Sequence, residues 1–364
     1  MGRALLAAFL IAALAAPSAC AQDALYAGLA EHPVDPSWAP ALGFGPIVHD
    51  PIPAKAQFGF VLEPTKAASA PIGSYARGCL TGAVALPPTG TYWQVMRPSR
   101  NRNWGHPELR DFIERFATDM HEREGWTGLL DGDMSQPRGG PMLTGHASHQ
   151  IGLDVDIWYR PMPTHVLSPE ERETLEPELL AEPDGSAVLP DHWNESWLRL
   201  LRRAASYPVV ARIFVHPSIK KALCAVAMTD RSWMSKVRAY AGHHDHFHVR
   251  IHCPPGSPTC IPQADPGKDD GCGPELAYWM KYVSTPLAIT KAPNPPEPPS
   301  LPTVVAIPPK PHALTLAEMP AACAGVLAEG KPALLSSVAP TDAPPPPPSP
   351  ARAASAAAAG ASEP

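Results

Sequence analysis

From His246 to His252 the chain alternates without a break. His246, His248, Arg250 and His252 fall on one face, and Phe247, Val249 and Ile251 on the other. Period 2 marks a half-buried strand, and it sets the His246 and His248 imidazoles side by side. Earlier in the chain Asp154-Val155-Asp156-Ile157-Trp158 alternates in the same way, so its two carboxylates also share a face. His149 stands seven residues before Asp156, at the end of a loop bounded by Gly145. A sheet that holds both strands can aim His149, Asp156 and His248 at one point. Three nitrogen or oxygen ligands with a fourth position open is the pattern of a catalytic zinc, because the open position receives the water to be activated. A closed four-thiolate site is not encoded, since the chain has no C-x2-C pair.

The 364 residues are 45% hydrophobic, enough for one full-sized core with appendages. There are 49 prolines, clustered towards the ends, so the globular part is shorter than the chain. A net charge of -6 without a polybasic block gives no support to nucleic acid or an anionic membrane as partner. Residues 1–21 have the plan of a secretory signal: Arg3, an apolar run from Leu5 to Ala16 too short to span a bilayer, and Ala19-Cys20-Ala21 as cleavage site. Cys20 as a lipoprotein cysteine is the weaker alternative, because Pro17 stands where a large aliphatic residue is expected. No membrane insertion is expected after cleavage. Six cysteines then remain: Cys79, Cys224, Cys253, Cys260, Cys272 and Cys323. An even count in an exported chain implies disulfides, with 15 pairings open.

Residues 22–70 are Pro- and Ala-rich and lack a sustained period, so an irregular extension is expected. The globular domain is placed at 71–290. Within it the pattern predicts strands at 78–86, 92–96, 127–130 and 209–215, and helices at 106–122, 194–206 and 217–228. A further helix is expected from an Asp230 cap to Tyr240. Residues 135–148 form a Gly/Pro loop suited to lining a cleft. Strands, helices, then strands again imply an α+β fold with a mainly antiparallel sheet flanked by helices. Residues 291–364 are Pro-rich and expected to be largely disordered, with 341–364 of low complexity.

The H-x6-D and H-x-H strings resemble those of the LAS metallopeptidases. The longer strings are similar to the penicillin-insensitive murein endopeptidase branch: Ile72-Gly73-Ser74 with Gly78-Cys79, Tyr92 to Arg97, Gly105-His106-Pro107, Gly145 to Trp158, Ala211 to Val215, His246 to Arg250, and Asp270 to Gly273. The resemblance runs from about Ile72 to Trp279, with a weaker echo at Cys323. It implies a LAS-type fold and a Zn2+ held by His149, Asp156 and His248. It also implies three disulfides: Cys79 with Cys323, Cys224 with Cys272, and Cys253 with Cys260. The implied reaction is hydrolysis of the D-Ala–meso-diaminopimelate cross-link of peptidoglycan in the periplasm.

In that frame His246 sits beside the metal as the proton shuttle, where many LAS enzymes use a Glu. His243 matches another active-site histidine, suited to the substrate carbonyl. His146 matches a residue linked to a second metal, whose partners would fall at Asp184 and Ala187. Ala187 stands where a His is needed, which puts that second site in doubt. Asp154 is expected to orient a ligand histidine or to act as a plain structural carboxylate. Two other classes compete. A serine peptidase finds S-x-x-K at Ser218-Ile219-Lys220-Lys221, but the order of motifs is reversed and K-T-G is missing. A non-catalytic zinc- or peptidoglycan-binding module would be favoured by loss of a ligand or of His246, and neither is lost.

Overall fold

The structure, a computed structural model, describes residues 52–182, 185, 187–226, 228–284 and 313–329. The signal segment with Cys20, the extension before 52, Asp184 and the tail beyond 329 lie outside the described residues.

The chain enters through a short helix, Ala54–Phe58, and a hairpin of β1 (Ala70–Ser74) and β2 (Arg77–Thr81). β3 (Val84–Ala85), β4 (Trp93–Val95) and β5 (Trp104–Gly105) follow, then the helix Pro107–Glu124. That helix is specified at both ends. His106 caps it by accepting from Glu108 N through Nδ1 (3.2 Å), Pro107 occupies the first turn, and Gly125 closes it in the left-handed region at φ 73°. Its Leu109, Phe112, Ile113, Phe116, Ala117 and Met120 recur on one face and are buried. After it come β6 (Leu129–Asp131), β7 (Asp154–Trp158) and the helices Pro169–Thr174 and Glu195–Ser206. β8 (Val210–Val215), the helix Pro217–Ala225, β9 (Val237–Ala239), β10 (His246–Ile251), the helix Pro274–Ser284 and the helix Ala322–Ala328 complete the described elements.

Six strands make the main sheet in the order β4-β6-β7-β10-β8-β9. The three central pairings are antiparallel and the two outer ones, β4–β6 and β8–β9, are parallel. The alternation seen in sequence divides the two faces. Val155, Ile157, Phe247, Val249, Ile251, Ile213 and Val215 enter the main core with the helices Pro107–Glu124 and Glu195–Ser206. Asp154, Asp156, His246, His248 and Arg250 occupy the opposite face. Several elements depart from expectation, among them the strand expected at 78–86, which is split into β2 and β3. The helix expected from Asp230 to Tyr240 is instead a 3-10 turn, Ser232–Lys236, running into β9. Asp230 does cap, accepting from Ser232 N (3.0 Å), but pairing of Ile213 with Val237 extends the sheet and buries Val237 to Ala239, so tertiary pairing overrides the local start signal. The helix expected to reach 228 stops at Ala225. The helices Ala54–Phe58, Pro169–Thr174, Pro274–Ser284 and Ala322–Ala328 are additional to the expected set; the first and last lie in the stretches expected as irregular extension and disordered tail, where burial in the second core orders them.

The six cysteines form three disulfides, Cys79–Cys323, Cys224–Cys272 and Cys253–Cys260, the pairing that the resemblance implies. Cys253–Cys260 closes a short loop directly after β10, behind the His-rich strand. Cys224–Cys272 ties the last turn of the helix Pro217–Ala225 to the segment that leads into the helix Pro274–Ser284. Cys79–Cys323 anchors a second, smaller core of Ala54, Phe58, Ile72, Met319, Val326 and Leu327. Elements from both ends of the described chain therefore pack together on the hairpin. Phe58 lies against Gly140 of the 135–148 loop. A Cβ at Gly140 would stand 2.3 Å from the ring, and its φ of 77° suits glycine besides. Among the described residues no helix is long and apolar enough to cross a membrane.

Candidate metal centre

The register of the sheet builds the site. His248 pairs with Asp156 on β7 and with Phe214 on β8; Arg250 pairs with Asp154 and Arg212; His246 pairs with Trp158. Since these are even-numbered positions on the same face, their side chains form adjacent rows. The 135–148 loop then turns back over this face. His149 is held in the left-handed region (φ 66°) with its side chain fully buried.

Each histidine of the set His149, His246 and His248 has one nitrogen committed, and the other faces Asp156. His149 Nδ1 lies 2.7 Å from the Met134 carbonyl, which can only accept, so Nδ1 carries the proton and Nε2 is bare. His248 Nε2 donates to Asp154 Oδ1 (2.9 Å) and leaves Nδ1 bare. His246 Nδ1 donates to Asp245 Oδ1 (2.6 Å). His149 Nε2 and His248 Nδ1 are each 3.4 Å from Asp156 Oδ1, and His246 Nε2 is 3.7 Å from it. His146 stands on the other oxygen, with Nδ1 3.3 Å from Asp156 Oδ2 and Nε2 2.9 Å from Asp133 Oδ2. Asp133 also receives Arg102 (2.7 Å) and Arg100 (3.2 Å). Burial alone would raise its pKa, but His146 and Arg102 hold it down at about 2.

His149 Nε2 and Asp156 Oδ1 are buried and make no hydrogen bond. Two bare lone-pair atoms facing each other out of water are costly unless a cation or a proton lies between them. A divalent metal fits this donor set: imidazole nitrogen and carboxylate oxygen on rigid strands, each imidazole oriented from behind by a carbonyl or a carboxylate. The residues His146, His149 and Asp156 place ligand atoms within 4.8 Å of one another. His248 joins the same carboxylate from the β10 side. Without a metal, burial lowers the His149 pKa, but the Asp156 charge outweighs it and raises it. His246 is pushed up in the same way by Asp156 and Asp245 against its burial. Burial lowers His248 to about 4, opposed by Asp154.

Asp154 is the hub behind His149 and His248. Its Oδ1 accepts from His248 and from Arg250 Nε (2.7 Å), and its Oδ2 accepts from His149 N (3.0 Å). Burial would raise its pKa, but Arg250 and His248 prevail and hold it below the usual carboxylate range. Arg250 in turn lies over the rings of Tyr75 (4.1 Å) and Phe214 (5.1 Å).

Two cavities flank the centre. One, of about 450 Å³, is lined by His146, Phe214, Tyr240, His243, His246 and His248 among others. The second, of about 200 Å³, reaches Arg97, Arg100, Asp133, Trp158 and Asp245 on the far side of His246. His243, in the left-handed region (φ 57°), directs Nδ1 at Ala241 O (3.2 Å) and stands 5.1 Å ring to ring from His246. Ala187 is exposed and carries no ligand atom in its side chain, and Asp184, the other expected partner of a second metal, lies outside the described residues. Ser218 is buried with its hydroxyl donating to Gly185 O (2.7 Å), and Lys221 is exposed. The S-x-x-K string is thus an ordinary helix start. Asp133, Asp245, Arg97, Arg100 and Tyr240 escaped the sequence reading as site residues. Only Asp245, adjoining His246, carried a local signal.

A profile of the penicillin-insensitive murein endopeptidases matches residues 71–328. The chain belongs to this family. Similar proteins include the penicillin-insensitive murein endopeptidase of Yersinia enterocolitica, 40% identical over 254 residues, covering 70% of this chain and 92% of the relative. The Klebsiella pneumoniae protein of the same name is 43% identical over 243 residues, covering 66% and 87%. That of Haemophilus influenzae is 42% identical over 233 residues, covering 63% and 80%. All the strings that carried the resemblance, from Ile72 to Gly273, fall inside the matched span, and so does Cys323.

Proposed function

We propose that this member of the murein endopeptidase family is a LAS-type zinc peptidase that hydrolyses the D-Ala–meso-diaminopimelate cross-link of peptidoglycan in the periplasm. The names of its relatives supply the substrate class. The observation that carries the metal-dependent reading is Asp156 Oδ1, set 3.4 Å from the bare nitrogens of both His149 and His248. These three residues are the ligand set of choice, with His146 on the opposite carboxylate oxygen as a contact for water or substrate. Bound there, zinc supplies Lewis acidity, which lowers the pKa of water and polarises a carbonyl.

The chain's own residues do the rest. His246 Nε2, oriented by Asp245, accepts the proton of the attacking water as its oxygen adds to the scissile carbonyl carbon. It then returns the proton to the amide nitrogen, and the C–N bond breaks to leave a carboxylate and an amine. The Asp245 hydrogen bond fixes the His246 tautomer and stabilises the imidazolium formed in between. His243 has its Nδ1 proton turned towards Ala241, so its Nε2 offers an acceptor to a substrate N–H on the cavity wall in place of the expected role at the substrate carbonyl, which would need a proton on that nitrogen. Strands on both sides hold these groups rigidly, which places reacting atoms without a search. No step acylates a serine, so a β-lactam has no nucleophile to trap.

The test is direct. Purified mature protein is incubated with cross-linked muropeptide dimers, with and without a chelator, and products are weighed by mass spectrometry. Monomers should accumulate, stop with chelator and resume with added zinc. Zinc binding without any cleavage would favour the non-catalytic module instead.

A further inference from the structure

The wall of the larger cavity does not end at Tyr240. Tyr240 is 45% exposed, and its ring lies 4.7 Å from that of Trp279 on the helix Pro274–Ser284. Trp279 is in turn met edge-on by Tyr278 (5.3 Å) and Tyr282 (5.5 Å). Tyr278 and Tyr282 are 42% and 37% exposed. Four aromatic rings thus form one continuous strip that starts beside His243, whose ring is 5.7 Å from Tyr240, and runs outwards from the metal centre. Aromatic side chains are usually drawn inward by their large apolar area. A run of them left on the surface and joined to a catalytic cavity marks a binding surface.

We propose that this strip is a saccharide subsite, which holds the glycan strand that bears the peptide under attack. The proposal rests on the endopeptidase reading and adds to it. A sugar is the occupant on two grounds. The first is chemical. A pyranose presents a flat face of C–H groups ringed by hydroxyls, and an electron-rich aromatic face matches the former while the phenol hydroxyls of Tyr240, Tyr278 and Tyr282 meet the latter. The second is reach. In cross-linked murein the scissile bond is separated from the sugar by a stem of roughly four residues, about 13 Å when extended. From His246 the rings of His243 (5.1 Å), Tyr240 (5.7 Å) and Trp279 (4.7 Å) follow one another at contact distance, which keeps Trp279 within about the length of such a stem. A stem peptide laid along the cavity with its scissile amide at the metal centre would bring its sugar onto the rings of Trp279 and Tyr282.

The experiment measures binding of peptide-free murein glycan strands to the full mature chain, and in parallel compares cleavage of two dimers, one with its sugars and one stripped of them. Trp279→Ala should weaken glycan binding on the order of tenfold, the scale of one lost aromatic contact. It should lower kcat/KM by a similar factor on the sugar-bearing dimer and leave the stripped dimer unchanged. Tyr282→Ala, at a more exposed ring, should act in the same direction and guards against misfolding of the Trp279 variant. Parent protein that fails to bind glycan strands, or variants that bind them as well as the parent, would overturn the subsite. Equal losses on both dimers would also overturn it, assigning the strip to the peptide. Glycan binding lost in the variants while neither dimer is cleaved by the parent would keep the subsite and sink the endopeptidase reading.

Discussion

Asp154→Asn is the substitution with the most to reveal, because one buried carboxylate holds both a histidine of the proposed ligand set and a buried cation. Asp154 is fully buried, and the Arg250 side chain is 8% exposed. Four donors converge on its two oxygens: His248 Nε2 at 2.9 Å, Arg250 Nε at 2.7 Å, Arg250 Nη2 at 3.4 Å and His149 N at 3.0 Å. An amide has one acceptor oxygen, so at least one side of this set loses its partner, and the guanidinium loses its counter-charge. Breaking a buried pair from one side costs about 3–5 kcal/mol. For a domain of this size that lowers Tm on the order of 10 °C. Zinc affinity should fall about 10–100-fold, because His248 loses the partner that fixes its tautomer. Urea denaturation of chelated protein and a zinc titration read the two effects separately. Arg250→Met added to Asp154→Asn removes the unpaired guanidinium, so it should recover part of the stability and none of the metal affinity. Acidification gives a further signature. The folded carboxyl is held below its ordinary range, so its stabilising contribution is fully present above the unfolded pKa of about 3.9 and is lost as pH falls below it. The stability gap between parent and variant should close there. A variant as stable as the parent at pH 7, with equal zinc affinity, would refute the hub role.

Other outcomes follow from single contacts. His246→Ala should lower kcat by about 10²–10⁴ with zinc content unchanged, as measured on muropeptide dimers beside metal analysis. Asp131 is wholly buried on the core side of β6 with neither oxygen hydrogen-bonded, and burial pushes its pKa up to about 8. Its folded pKa lies above the unfolded one, so the parent should lose stability as pH rises from about 4 towards about 8. Asp131→Asn should flatten that slope in a series of denaturation curves. Replacing Cys79 and Cys323 together by serine opens a closure spanning 244 residues and should cost about 3–5 kcal/mol in urea denaturation under oxidising conditions, a difference that vanishes when both proteins are reduced.

Much of the site was legible because it lies on regular strands. Strict alternation in His246–Ile251 and Asp154–Trp158 gave the face each side chain occupies, and pairing of His248 with Asp156 then placed them together. The order of strands was not legible, since β4 and β9 join by parallel pairing between segments distant in sequence. The cysteine count alone left the partners of all six cysteines open, and only the resemblance singled out the pairing that the fold adopts. Local cap chemistry misled at Asp230, where an Asx turn precedes a 3-10 turn and an edge strand rather than a helix. Asp133 reaches His146, and Arg102 reaches Asp133, from loops without periodicity, so nothing local marked them. Tyr240 is similar: it directly follows β9, whose parallel pairing with β8 the pattern did not signal, and its N–H donates to Val215 O (3.0 Å). By contrast, His106 and His216 fall outside the site, each capping the helix that a proline begins.

The proposed chemistry turns on a zinc ion seated at Asp156 Oδ1 between His149 Nε2 and His248 Nδ1. Anomalous scattering from crystals of the zinc-loaded protein, recorded on both sides of the zinc edge, would locate that ion. One strong peak is expected within coordination distance of those three atoms, about 2.0–2.2 Å. A peak centred on His146 and Asp133 instead, or none in protein that hydrolyses the cross-link, would contradict it.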